Sequence, residues 1–455
     1  MAEAAEETTQ SESDELRREF VLALESGDPV AAGERVADLH PAEIAHLLES
    51  LPAADREPAW EVIRDRFHAD VLSYLNDDLR AELLHRLSPE ELVEAAQQLD
   101  IDDLADVLPD MPDAAIQAVL NSLDDQRRSR LDTALAYPED SAGGLMNLDA
   151  VTVRGNITVD VVLRYLRRLG DLPDATDTLF VVSREGRYLG HLPLSELVTA
   201  EPGLTVAEVM RRDLDGIPGE TPAHDVAKRF EHRDLISAPV VDTDGTLLGR
   251  ITIDDVVDVI RDEGEHSFLS MAGVQDEEDM FAPVRASARR RVIWLGLNMV
   301  AAFVAARVIG LFEASLQQAV ALAVLMPVVA SMGGIAGNQT LALVIRGLAL
   351  DQIGPGNTLK LLRKEITVGL VNGLGLSVLI AGVAWAWFGD PALGGVIALA
   401  LIINLFMAAV AGTLIPLLLR RLGGDPALGG GMLLMTVTDV TGFGVFLGLA
   451  TLLLL

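Results

Sequence analysis

Five apolar stretches follow Arg291, at about Val292–Leu311, Ala319–Ile345, Ile366–Phe388, Leu393–Leu419 and Leu428–Leu455. A bilayer core of about 30 Å needs roughly 20 apolar residues in a helix, and each stretch meets that length. Arg285, Arg289, Arg290 and Arg291 precede the first stretch. Arg346, Lys360, Arg363 and Lys364 lie between the second and third, and Arg420 and Arg421 between the fourth and fifth. The two remaining connections carry Glu313 and Asp390 instead. Positive charge is retained on the cytoplasmic side, so the pattern predicts a multi-pass protein of the cell membrane with a cytoplasmic N-terminus and an extracellular C-terminus.

Polar residues inside such spans are costly and therefore informative. Asp439 reads as the one acid deep in a span, within Thr436-Val-Thr-Asp439-Val-Thr-Gly442. Either it faces water and an ion, or the neighbouring threonines hold it in the protein. The second stretch contains Met326-Pro-Val-Val-Ala-Ser-Met-Gly333-Gly334-Ile-Ala-Gly337-Asn338-Gln339. Proline removes a backbone donor and glycine permits close approach or unwinding, so carbonyls are expected to be freed at membrane depth beside the Asn338 amide. Carboxylate, carbonyl and amide oxygens suit a hard divalent cation, and Mg2+ in particular, which keeps several of its waters. An intramembrane enzyme would need a second buried carboxylate, a membrane histidine or a nucleophile with its base. These stretches offer none, and the chain is not expected to be an enzyme.

The formal net charge of −33 excludes the basic surface that nucleic acid requires. Lysine occurs only at positions 228, 360 and 364, a pattern that fits a protein from a salt-rich, halophilic cytosol. Such a protein carries a solvated acidic surface whether or not it binds metal, so only clustered acids count. Cysteine is absent, which removes disulfides, cysteine-ligated zinc and thiol chemistry. Residues 1–14 are polar and acidic, a disordered tail rather than a secretory signal.

Over 15–137, helical phrases recur about every twelve residues, each opening on Pro or Asp and closing on Leu or Met, as a superhelix of stacked repeats would. Asp102, Asp103 and Asp106 can share one face of such a helix. Residues 138–261 contain a doubled unit: Gly186 and Gly190 recur 59 positions later as Gly245 and Gly249, each pair inside a strand, turn, strand, helix pattern. This unit resembles a pair of CBS domains, α/β regulatory modules that often bind adenylates. Thr252 and Asp255 match the Ser/Thr-x-x-Asp pattern that holds a ribose, whereas the first repeat has Pro193 and Glu196 there, so at most one ATP site per subunit is expected. Residues 262–290 read as a long connecting helix, and 291–455 as the five-helix membrane domain. Asp254, Asp255, Asp258, Asp262, Glu263 and Glu265 crowd the joint, where like charges repel unless a cation lies between them.

With these parts in order, the chain resembles the MgtE family of magnesium channels over nearly its whole length. The resemblance is carried by Ala142-Gly-Gly-Leu-Met146, Thr252-Ile-Asp-Asp-Val-Val-Asp258, Gly333-Gly-Ile-Ala-Gly-Asn-Gln339, Asp425-Pro-Ala and Thr438-Asp439-Val-Thr-Gly442. It implies a homodimer in membrane lipid, with a pore lined by the second and fifth helices. Asp439 of each subunit would hold a hydrated Mg2+, with Asn338 and the carbonyl near Met435 contributing. It also implies regulatory Mg2+ sites, whose matching positions are Asp103, Asp106, Asp234, Asp255, Asp258, Glu263 and Asp425. Two departures stand out: Ile335 where the family usually has a pore asparagine, and His266-Ser267 where it usually has a Glu-Asp pair, a change that either weakens that regulatory site or moves it to Glu265. The residues leave open a channel closed by cytosolic Mg2+ and an ion-coupled secondary transporter of divalent cations regulated by nucleotide.

Overall fold

The computed structural model describes residues 16–64, 69–173, 175–274, 280–354 and 356–454. The tail expected at 1–14 lies outside them. The chain divides into two compact units, 1–264 with 277–283 and 265–276 with 284–455.

The first unit begins with short helices whose starts follow a twelve-residue period: Pro29–Val36, Pro41–Glu49, Ala53–Arg64, Asp77–Leu84, Pro89–Gln98, Ile101–Val107, Asp113–Ser122 and Asp125–Ala134. The period comes from repeated capping chemistry. Asp28, Asn76, Ser88 and Asp124 each accept a backbone N–H of the helix they precede, and proline occupies the first turn where its missing donor costs nothing. Each helix is too short to persist alone. Each is held by burying apolar residues such as Leu48, Trp60, Leu79, Leu83 and Leu104 in one shared core, at about 1.5–3 kcal/mol per large side chain. Arg64 ties the helix Ala53–Arg64 to Pro89–Gln98 by gripping Glu91 through Nε and Nη2 at 2.8 and 2.7 Å.

The doubled α/β unit follows. Strands β1 (Thr152–Arg154), β2 (Thr178–Val182) and β3 (Tyr188–Pro193) form one sheet; β4 (Ile217–Pro218), β5 (Ser237–Val241) and β6 (Leu247–Thr252) form the other. In both sheets the first pair is parallel and the second antiparallel, with a register shift at Val181/Val182 and again at Val240/Val241. The repeated glycines have two jobs. Gly186 and Gly245 take φ of +83° and +79° in the hairpin turns. At Gly190 and Gly249 a Cβ would stand 2.3 Å from the Arg211 carbonyl and 2.6 Å from the Asn147 carbonyl, each on a backbone segment that bridges to that repeat's own hairpin. The two turns bond to each other, Tyr188 N donating to Gly245 O at 2.9 Å and Leu247 N to Gly186 O at 3.1 Å.

The segment read as one connecting helix, 262–290, is two pieces. Its start continues the last helix of the doubled unit, Ile253–Ala272, which ends at Gly273 with φ +72°. Its end belongs to the first membrane helix, Val284–Gly310. Residues 275–279 lie outside the described residues.

Among the described residues of the second unit, five helices are long and apolar enough to cross a membrane: Val284–Gly310, Val320–Ala349, Thr358–Phe388, Pro391–Arg421 and Pro426–Leu453. They overrun the expected spans because helical hydrogen bonding does not stop where the hydrocarbon does. The second helix is unbroken through Pro327 and its glycines, so of close approach and unwinding it shows the first. Its glycines serve packing. A Cβ at Gly337 would meet Leu434 at 2.8 Å, and one at Gly412 of the fourth helix would meet the Gly337 carbonyl at 2.8 Å.

Candidate ion path and acidic cluster

The second and fifth membrane helices line an open cavity of about 240 Å³, bordered by Ala330, Ser331, Gly334, Ile335, Asn338, Met435 and Asp439. Asn338, Met435 and Asp439 therefore share one space, and Ile335 borders it. The neighbouring threonines do not hold the carboxylate. Thr436 donates to Met432 O at 2.8 Å, and Thr438 to Leu434 O and Met435 O at 3.1 Å each. Each satisfies a carbonyl of its own helix and leaves the partly exposed Asp439 carboxylate facing the cavity. The Met435 carbonyl is engaged by Thr438.

A second buried acid lies in the third membrane helix, one residue before the stretch expected to span. Glu365 is buried near the start of the third helix, where it accepts from Thr340 Oγ1 at 3.2 Å and pairs with Lys364 Nζ at 2.6 Å. Asn404 of the fourth helix is fully buried and donates to Val329 O at 2.8 Å. Neither was legible as a site. Glu365 sits among charges that read as a loop, although it heads a four-residue stripe of Gly369, Gly373 and Ser377 that is buried along one face.

In the first unit, acids of the helical domain and of the doubled unit share one electrostatic neighbourhood. Asp102 is pushed up to about 8, first by burial and then by Asp103, Asp255 and Asp100. Its Oδ1 is buried without a hydrogen-bond partner. Burial raises Asp103 to about 6, with Asp100, Asp70 and Asp254 adding to the shift. Asp255 is raised to about 7 by burial and by Asp254, and it accepts from Thr252 Oγ1 at 3.1 Å. Thr252 and Asp255, the paired nucleotide candidates, thus bond to each other. Asp106 lies at the exposed rim and is raised to about 7 by desolvation, Glu139 and Asp103. Desolvation also raises Asp258 despite Arg261 at 3.3 Å.

The other regulatory candidates are arranged differently. Asp234 is exposed and closes the helix Ala223–Arg233 in the left-handed conformation, φ +51°. Glu263 and Glu265 are exposed on the helix Ile253–Ala272. Asp425 caps the fifth membrane helix, accepting from Ala427 N and Leu428 N at 2.8 and 3.1 Å, and its Oδ2 lies 3.4 Å from His266 Nε2. The imidazole therefore meets the capping acid directly. Among the described residues no three acid or histidine side chains converge tightly enough to form a ready metal cage. Crowded, partly desolvated carboxylates such as Asp102, Asp103 and Asp255 nevertheless fit a hard cation that keeps part of its water.

Comparison with known proteins agrees with this layout. The family described as MgtE, divalent cation transporter, matches residues 326–449; the MgtE intracellular N domain matches 39–140, and the CBS domain matches 206–262, the second repeat. The magnesium transporter MgtE of Thermus thermophilus is 35% identical over 95% of this chain and 97% of its own length. The magnesium transporter MgtE of Bacillus subtilis is 27% identical over 96% and 97%. A solved structure of the cytosolic domain of the Mg2+ channel MgtE in complex with ATP is 35% identical, covering 53% of this chain and 99% of that one, at a TM-score of 0.48.

Proposed function

This chain belongs to the MgtE family of magnesium transporters, and from that premise we propose that it is a Mg2+ channel whose ion path runs through the Asp439 cavity and closes when cytosolic Mg2+ binds the acidic cluster. The observation that carries this reading is the Asp439 carboxylate, facing the Asn338 amide across a cavity with room for an ion that keeps several waters. A fixed charge at membrane depth without a protein partner is the chemistry of a transient cation site. Ile335 and Met435 are 52% and 49% exposed beside that cavity. A second copy supplying a second Asp439 would cover them, which supports a homodimer. The arginines and lysines at the helix ends support a cytoplasmic N-terminus.

Closure begins where like charges of the two cytosolic domains face each other. Without Mg2+, Asp102 and Asp103 repel Asp254 and Asp255; a bound ion reverses the sign of that interaction. Asp254, Asp255 and Asp258 stand on the first turns of the helix Ile253–Ala272, whose later turns carry His266 to Asp425 at the head of the Asp439-bearing helix. Rigid helices then transmit the change. Of the other acids, Asp106 lies at the cluster's rim, while Asp234 and Glu263 contribute as weaker, exposed ligands. The shift equals the difference in Mg2+ affinity between closed and open states, so several weak sites give a steep response. ATP, the ligand named for the related cytosolic domain, would take Thr252 and Asp255 as ribose ligands and so compete with the Mg2+ form of Asp255.

Electrical recording from proteoliposomes tests the mechanism. A channel passes Mg2+ current that follows the electrochemical gradient without sodium or proton dependence. Flux that collapses when either gradient is removed would establish a coupled carrier instead.

A further inference from the structure

None of the residues lining the Asp439 cavity comes from the fourth membrane helix, yet that helix places an amide between the two helices that do line it. Asn404 is 0% exposed and its Nδ2 donates to Val329 O, the residue before Ala330 and Ser331 on the cavity wall. Both lining helices are notched around this side chain. A Cβ at Gly333 would stand 2.2 Å from Asn404 Nδ2, and one at Gly442, three residues beyond Asp439, would stand 2.8 Å from it. The amide oxygen is buried with no hydrogen-bond partner. An unpaired buried acceptor is destabilising, and an apolar side chain would avoid it. The amide therefore answers to something other than packing.

We infer that Asn404 is a positioning residue that sets the separation between the Asn338 and Asp439 faces, and with it the fit of the cavity to a hydrated divalent cation. The inference rests on the cavity being the ion path. Its mechanism is steric and directional. The Nδ2–H fixes the second helix through one carbonyl, while the glycine notches let both helices rest on the same planar group. A change at Asn404 moves both walls without touching the ion.

The test is Mg2+ and Ca2+ uptake by full-length protein in liposomes across a range of external cation. Asn404→Leu keeps the branched outline of the side chain, with bulkier ends, and loses the donor. It should keep a monodisperse, thermally stable protein while changing the half-saturating Mg2+ concentration or the Mg2+ to Ca2+ uptake ratio at least fivefold. Gly333→Ala should give the same defect by pushing the amide aside, and it decides the matter if Asn404→Leu does not fold. Wild-type half-saturation and ratio in whichever of the two variants folds would overturn the positioning role. Asp439→Ala is run in parallel. If it is inactive while Asn404→Leu behaves as wild type, only the positioning role falls; if it transports normally, the cavity reading falls and this inference with it.

Discussion

The hydroxyl of Thr340 donates to the buried carboxylate of Glu365 at 3.2 Å, joining the second and third membrane helices two residues beyond Asn338. The other carboxylate oxygen is held by Lys364, so Glu365 is a structural acid satisfied on both sides. Thr340→Val preserves shape and removes the donor. It should lower the stability of the detergent-solubilised protein by about 1–2 kcal/mol, the usual cost of an unmade buried hydrogen bond to a charged group. Thermal unfolding measures it, and an unchanged midpoint would mean that Lys364 alone satisfies the acid.

The acids of the first half of the helix Ile253–Ala272 and its midpoint should matter for closing and not for conduction. Neutralising Asp255, Asp258 and Glu263 together is expected to leave a channel that conducts but no longer closes in millimolar internal Mg2+. Patch recording across internal Mg2+ concentrations is the check. Unchanged inhibition in the triple variant would assign these acids to a solvated surface.

The same cluster makes stability depend on pH. Asp102, Asp103 and Asp255 sit at about 8, 6 and 7, above the ordinary aspartate value of about 3.9. The folded protein therefore keeps protons that the unfolded chain releases, and folding stability falls as pH rises from about 4 to about 8. Mg2+ takes the place of those protons and should offset most of the loss at the upper end. Hydrogen exchange of the full-length protein near pH 5 and pH 8, with and without millimolar Mg2+, should show the least protection at pH 8 without the ion. Equal protection in all four conditions would contradict a cation-binding cluster.

Much of this architecture was legible in the sequence because it is periodic or chemically expensive. The twelve-residue helical phrases and the Gly186/Gly245 turns repeat at fixed spacing, and Asp439 is conspicuous because hydrocarbon penalises charge. Features that need a partner were not legible. Glu365 follows Lys364 at a helix start and looks like a loop charge until Thr340 is placed beside it. Asn404 is one polar residue in an apolar run, meaningful only when Gly333 and Gly442 close on it. The glycines of the second helix left close approach and unwinding both open, because a glycine reads the same whether the freed space is filled by water or by a neighbouring helix. The connecting helix was drawn too long because charge continues across Gly273 while the helix does not.

The central claim is that Mg2+ passes the Asp439 carboxylate. The direct measurement is Mg2+ uptake into liposomes by Asp439→Ala protein, matched to wild type in reconstituted amount and in thermal stability. The account predicts uptake indistinguishable from protein-free liposomes, with Asp439→Asn nearly as damaged because the amide keeps the shape and loses the charge. Wild-type uptake by folded Asp439→Ala protein would contradict it and place the ion path elsewhere in the helix bundle.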